Sequence, residues 1–342
     1  MIGAAVVIIG GGAGVALAVT THHHHKSPPH PTSTLAAPTT TAAPSGPPCP
    51  LTGAPSPTGS VPQRPALAIK IDNYPAARPQ SGLDDADIVF EEPVEGGITR
   101  FVAVFQCQEA SSVGPIRSAR AVDAQILDQL SHPIFIHAGG IEPVISILQS
   151  SPLKDFNILD LPSITQVNRE RVAPYSTYTS TTDGWGLEPS DTTPPSPLFT
   201  YGPNPPAGTA VSSVNIPFSG TSDVTWTWSA SAGKWMLAYS GQPAMLSDGS
   251  QISTTNIVVQ MVKVTYGPWV ENSQGALEVQ SQMTGSGVLD VFRDGEEISG
   301  TWQRPSLTSP ATLVASDGSI IPLSPGPTWV EIVPDTITVT AS

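Results

Sequence analysis

The chain has 342 residues, with 14 Lys and Arg against 28 Asp and Glu, for a formal net charge of −14. That balance argues against nucleic acid, whose phosphates need a basic face, and against electrostatic docking onto anionic lipid. The 37 Pro and 30 Gly punctuate the chain too often for a helical bundle and point to short strands and loops.

Residues 1–20 hold an uncharged apolar run about as long as a bilayer span. Two readings fit. Ala16-Leu17-Ala18 offers a small-residue cleavage site for a signal peptide, but basic residues before the run are missing. An uncleaved transmembrane anchor is the other, and either one exports the rest of the chain. Val6 to Ala18 also looks like the opening of a dinucleotide-binding fold. That motif needs a helix, a second strand and an acidic residue downstream. Here the chain runs into His22 to His25 and a Pro/Thr tract instead, so the nucleotide reading fails.

Residues 21–63 read as a disordered His-, Pro- and Thr-rich linker, too poor in apolar residues to offset chain entropy. Its His run is an opportunistic chelator in any flexible chain, so neither a metal nor any other cofactor is assigned. Cys49 and Cys107 are the two cysteines. In an exported chain a disulfide between them is expected, tying the end of the linker to the first domain. A nucleophilic Cys107 would need a base such as His137.

Residues 64–185 alternate strands with helices. Ala66 to Ile71, Ile88 to Glu92, Arg100 to Gln106 and Ile134 to Ala138 are strand candidates. Ala119 to Leu130 and Glu142 to Gln149 carry apolar residues at helical spacing. An α/β N-terminal domain with some parallel pairing follows. Residues 186–211 form a Pro-rich connection. Residues 212–342 are strands alone, a mostly antiparallel β C-terminal domain or small barrel. Asp223 to Ser229 and Lys234 to Tyr239 form one hairpin, and Val288 to Arg293 and Glu296 to Trp302 another, closed by Asp294-Gly295. Asn256 to Thr265, Thr328 to Val333 and Thr336 to Thr340 complete the sheet. Trp226, Trp228 and Trp235 could stack sugars, but packing explains them better. Asp290 to Glu297 lacks the ligand alternation of a calcium loop.

The segment from Asp72 to Arg120 concentrates scarce arginines beside carboxylates and glycines. Asp72 and Asn73 follow a strand end, where α/β sheets place ligand groups. Arg78 comes next; Glu95, Gly96 and Gly97 make a turn that lets backbone approach closely, and Arg100 opens the following strand. Arg117, Ser118 and Arg120 precede a helix, whose N-terminus offers free N–H groups, and His137, Gly139 and Gly140 repeat that arrangement. Guanidiniums beside a helix N-terminus suit a carboxylate or phosphate. Partly buried ion pairs that merely fix loops are the competing explanation.

The motifs PLTG (Pro50 to Gly53), KIDN (Lys70 to Asn73), ARPQSGL (Ala77 to Leu83), ADIVFE (Ala86 to Glu91), VEGGITRF (Val94 to Phe101), GPIRSAR (Gly114 to Arg120) and HAGG (His137 to Gly140) occur in order. FRDG (Phe292 to Gly295) and PGPTWVEIVP (Pro325 to Pro334) follow. In these the chain resembles the YerB-like exported lipoproteins, a family catalogued as a domain of unknown function. The resemblance implies a membrane-associated, extracytoplasmic two-domain bacterial protein and brings no reaction with it. This chain departs from the pattern in lacking a lipid-accepting Cys after the apolar run, in Tyr175 where the family commonly has His, and in Ala244 where relatives often have His.

The expected function is therefore a membrane-tethered envelope protein binding an anionic or polar envelope ligand through the first domain. Its partners would be the membrane, through the N-terminal helix, and a cell-wall polymer or envelope protein. The alternatives are a wall-polymer hydrolase or transferase using Asp72, Glu95, Arg117 and His137, and an interaction module with no ligand site. Ligand readings require Asp72, Glu95, Arg100, Arg117, Arg120 and His137 to meet in one open cleft.

Overall fold

The computed structural model describes Ala16, Ala18 and residues 46–342. The apolar run and the His cluster lie outside the described residues apart from those two alanines. Among the described residues no helix is long and apolar enough to cross a membrane.

The first half contains β1 (Leu67–Asp72), β2 (Ile88–Val94), β3 (Ile98–Phe105), α1 (Ala121–Leu127), β4 (Ile134–His137), α2 (Glu142–Ser150) and β5 (Lys154–Asn157). These match the expected strands and helices to within a few residues. β1 pairs with β3 antiparallel and with β4 parallel, and β4 with β5 parallel, which supplies the expected mixed pairing. The second half contains β6 (Ser213–Pro217), β7 (Asp223–Ser229), β8 (Lys234–Tyr239), β9 (Asn256–Val262), β10 (Val264–Val270), β11 (Leu277–Ser281), β12 (Gly285–Arg293), β13 (Glu296–Arg304), β14 (Thr312–Ala315) and β15 (Thr328–Pro334), with a few two-residue strands besides. Asp294 (φ 53°) and Gly295 (φ 80°) close the β12–β13 hairpin in the left-handed conformations that such a turn demands.

Three details differ from the expectation. The run Asn256 to Thr265 breaks at Lys263 into β9 and β10. Thr336 to Thr340 pairs only at Thr340. β15 is not antiparallel: it lies between β9 and β2 and runs parallel to both. The two halves consequently share one sheet, in the order β14-β13-β12-β9-β15-β2-β3-β1-β4-β5. TWVEIVP is buried on both faces at every residue but the last, which fits a central parallel position.

Alternation of side chains across this sheet separates two cores. Ala66, Ala68, Phe90, Val102, Val104, Val330 and Ile332 face α1 and α2. Ile69, Ile71, Phe101, Ala103, Phe105, Ile257 and Trp329 face the second sheet of β6, β7 and β8. Trp226 and Trp235 are completely buried there, with Trp226 edge-on to Trp329 at 5.2 Å and Trp235 edge-on to Phe292 at 5.8 Å. The tryptophans are packing, not a sugar platform.

Packed chain begins within the stretch expected as linker. Cys49 and Leu51 are buried, and Cys49 is joined to Cys107, with Cα atoms 6.1 Å apart. Asp87, also buried, receives the Cys107 backbone N–H at 2.9 Å and steadies the far side of the link. The bridge spans 58 residues. Restricting a loop of that size in the unfolded chain stabilises the fold by about 4 kcal/mol. Cys107→Ser is expected to lower the unfolding free energy by about that amount in a urea titration; a change below about 1 kcal/mol would show that packing of 46–63 does not need the link.

Candidate functional site

The site is laid out by strand register. Asp72 stands opposite Arg100, and Arg100 opposite Glu92, across β1, β3 and β2. Directly opposed residues share a face, so all three project towards the helix side, as does Lys70 two residues before Asp72. The Glu95–Gly97 turn joins β2 to β3, and Gly96 (φ 80°) and Gly97 (φ 70°) give it a conformation that other residues resist. The loop before α1 brings Arg117, Ser118 and Arg120 over the same strand ends. Together these enclose an open cleft of about 710 Å³, lined by Asp72, Glu95, Gly96, Arg100, Arg117, Ser118, Arg120 and Gly140.

Of the six residues that a ligand site needs together, five line the cleft and His137 does not, and most of the charges are already paired, as the competing ion-pair explanation expects, so the ligand reading rests on Arg117. Arg120 donates from Nε to Glu95 Oε2 at 2.8 Å and from Nη2 to Glu95 Oε1, a fork on one carboxylate, and Nη2 also lies 3.3 Å from Glu271. Arg100 Nη1 donates to the Ser118 carbonyl at 3.0 Å, and its Nη2 is 3.6 Å from Glu95. Burial, with Arg120 close by, pushes the Arg100 guanidinium down to about 10. Burial alone would raise the Glu95 carboxyl, but the Arg120 hydrogen bond and the charges of Arg100 and Arg120 outweigh it and bring it down to about 2. Beneath them Lys70, wholly buried, pairs with Glu92 and, at 2.7 Å, with Asp123.

Arg117 is different. Its side chain is 30% exposed, against 4% for Arg100 and 3% for Arg120. Nε lies 2.9 Å from Asp72 Oδ2 as a charge contact off the hydrogen-bond line, and the two terminal nitrogens have no partner among the described residues. Asp72 Oδ1 accepts the Tyr74 backbone N–H at 3.0 Å. One buried carboxylate thus orients both the open arginine and the tyrosine beside it.

The helix N-terminus expected to help bind an anion is already occupied. The Arg120 backbone N–H donates to Asp123 at 2.7 Å and the Ala121 N–H to Glu278 at 2.8 Å. Those carboxylates satisfy the donors that a ligand would have used. Glu278 and Glu271 come from the β10–β11 hairpin of the second half, and burial with the neighbouring Glu271 pushes Glu278 up to about 8.

Five expected residues do not join the cleft. His137 is fully buried and carries an acceptor on each nitrogen, Asp155 Oδ1 and the Gly139 carbonyl, both at 2.8 Å; it ties β4 to β5. Gly139 donates its N–H to Asn157 and stays behind the cleft wall. The Gly97 carbonyl accepts from Thr221 at 3.1 Å and faces a different hollow. Asn73 and Arg78 fall on the other face of the sheet, because Asn73 is the next residue after Asp72. Arg78 lies 3.6 Å over the Tyr239 ring and donates to Asn73 Oδ1 at 3.0 Å. Asn73 in turn donates to Thr99 at 2.8 Å and the Tyr239 hydroxyl at 3.1 Å. That network ends on Glu91, which stands opposite Glu331 across β2 and β15. Burial pushes Glu91 up to about 7, and burial with Glu91 alongside raises Glu331 well above the ordinary carboxylate range.

Sequence reasoning missed Tyr74, Tyr175, Glu271, Asn272 and Gln274 as cleft residues. Tyr74 was two positions from Asp72, and Tyr175 was visible only as a departure from the family pattern. The other three sit near the tip of a distant hairpin and carry no local signal. A second hollow of about 480 Å³ gathers Asp84, Asp85 and Asp248 without any arginine in its lining.

A mixed sheet shared by an α/β half and a β half, with a charged cleft where its central strands end under the helices, defines the class of protein. The chain belongs to the DUF3048 family: residues 51–188 match its N-terminal domain and residues 214–330 its C-terminal domain, both described as of unknown function. It is 30% identical over 298 residues to the "Putative lipoprotein YerB" of Bacillus subtilis (strain 168), covering 84% of this chain and 86% of that protein. The crystal structure of YerB from Bacillus subtilis superimposes with a TM-score of 0.73 at 26% identity, over 85% of this chain and 98% of that one.

Two outcomes are expected. Glu95→Gln removes the anion that holds two buried arginines and should destabilise the fold by about 3–5 kcal/mol at pH 7 in chemical unfolding; because Glu95 titrates near 2, its contribution is present above about pH 4.5 and fades as the pH falls towards 2. Glu91 and Glu331 act in the opposite sense, since the folded state keeps protons that the unfolded chain releases above about pH 4.5. Stability should fall as the pH rises from about 4.5 through 7, and Glu331→Gln should flatten that slope. Urea midpoints at about pH 2.5 and pH 5 read the first and at about pH 5 and pH 8 the second, and an identical slope in the Glu331→Gln variant would refute the second assignment.

Proposed function

We propose that this is an extracytoplasmic, membrane-tethered envelope protein whose cleft binds an anionic or polar envelope ligand, with Arg117 as anchor. The tether is the apolar run of residues 1–20, and the name of the YerB relative supports a membrane association for the family. The observation that carries the ligand reading is the open guanidinium of Arg117, oriented by Asp72 at 2.9 Å in a cleft where the other arginines are sealed. An oriented guanidinium with both terminal nitrogens free is a bidentate receptor for a carboxylate or phosphate.

Acid–base turnover of a wall polymer finds less support. Glu95 is held ionised far below neutral pH and so is no general acid, and His137 has no access to the cleft. The full chain is expected to sediment with purified cell-wall material, and Arg117→Ala should weaken that binding about 10- to 100-fold, the worth of a charge-assisted bidentate contact. Equal binding by the two proteins would overturn the reading, and release of soluble wall fragments by wild type but not by Arg117→Ala would favour the enzyme.

A further inference from the structure

We infer that the cleft takes a saccharide carrying a ring carboxylate, a uronate-type glycan segment, with the carboxylate on Arg117 and a sugar face against Tyr74 and Tyr175. This rests on the cleft being the ligand site, and adds the chemical class.

Charge decides against a phosphate or a polyanion. The cleft brings Arg100, Arg117 and Arg120 together with Asp72, Glu95 and Glu271, so the lining is electroneutral when all six are charged. Of the three guanidiniums, Arg117 alone has both terminal nitrogens without a partner among the described residues, and the helix N-terminus that could have cradled a phosphate is filled by Asp123 and Glu278. A dianion would face three carboxylates with a single open guanidinium in this lining to meet it. A single delocalised carboxylate matches that one open fork.

The rim decides in favour of a ring. Tyr74 is 45% exposed, and its ring lies parallel to that of Tyr175, 5° between planes and 6.4 Å between centroids. Neither hydroxyl has a hydrogen-bond partner among the described residues. An exposed Tyr74 ring with a half-buried Tyr175 ring parallel to it, both with free polar tips, suits a pyranose, whose C–H face is apolar and whose edge is hydroxyls. Gln274 adds an amide able to donate and accept together, as a hydroxyl requires, and Asn272 adds an amide donor, its Oδ1 already accepting the Gln274 and Ala276 backbone N–H groups. The volume of about 710 Å³ is within the range of small-ligand sites and accommodates more than one sugar ring. Asp72 positions both recognition elements, through Arg117 Nε and the Tyr74 N–H.

The test is calorimetric titration of the full chain with four probes: an aldotriouronic acid, which is a trisaccharide with a single glucuronate carboxylate on two neutral sugars, a neutral chitotriose, inorganic phosphate and an N-acylated dipeptide with a free carboxylate. The trisaccharide acid is expected to bind at least about 10-fold more tightly than each of the others. Arg117→Gln and Tyr175→Ala should each cost it about 10-fold or more, while Arg117→Lys, which keeps the charge but loses the fork, falls between. Near-ultraviolet circular dichroism of each variant separates lost contact from lost fold. Preference for phosphate, the dipeptide or chitotriose overturns the uronate class yet leaves a polar-ligand cleft standing. No probe bound, with wall sedimentation still dependent on Arg117, overturns the uronate class alone. No probe bound and sedimentation indifferent to Arg117 overturns both.

Discussion

Everything in the molecule depends on where β15 is inserted. Residues Thr328–Pro334 come almost last in the chain, yet they hydrogen-bond to β2 from the first half and β9 from the second. Until that strand is in place, the α/β half ends in an unpaired β2 edge and the β half in an unpaired β9 edge. Such edges expose rows of N–H and C=O groups that must find partners. Once it is in place, Val330 and Ile332 complete the helix-side core and Trp329 the opposite one. β10 follows β9 after a single residue, Lys263, so the same pairing aims the β10–β11 hairpin at α1. The cleft wall carrying Glu271 and the cap supplied by Glu278 therefore depend on a strand from the far end of the chain.

The cleft is also a problem in burying charge. Lys70, Arg100, Arg117 and Arg120 meet Asp72, Glu92, Glu95, Asp123, Glu271 and Glu278, an excess of carboxyls over cations. Burial raises Glu92 to about 7 and Glu278 to about 8, so the excess is relieved by retained protons. A buried pair gains little over an apolar substitute, and what it provides is geometry. Here the geometry leaves Arg117 open while its neighbours are tied down.

Much of this was legible in the sequence, for reasons that also mark the limits. The strands of the first half announced themselves by apolar runs with turn residues at their ends, and Asp72, Glu95, Arg100, Arg117, Ser118 and Arg120 could be grouped because they lie on or beside adjacent strand ends. Strict alternation would have set Asn73 apart from Asp72, and that step was available. The parallel run of β15 was not, because a short apolar strand reads the same whichever neighbours it acquires. His137 was misleading for a similar reason: nothing local reveals that Asp155 and the Gly139 carbonyl take both its nitrogens. Glu271 reaches the cleft only through long-range pairing.

The bridge between Cys49 and Cys107 has a mechanical meaning as well. Cys49 precedes every strand of the shared sheet, and Cys107 lies just past the end of β3, an interior strand of that sheet. Tension arriving along the upstream chain would meet a covalent crosslink before it reached a single hydrogen-bonded strand. The load would pass into the middle of the sheet and bypass residues 50–106, which close the loop and build three of the strands that frame the cleft. Pulling on the leading end would leave the cleft geometry slack.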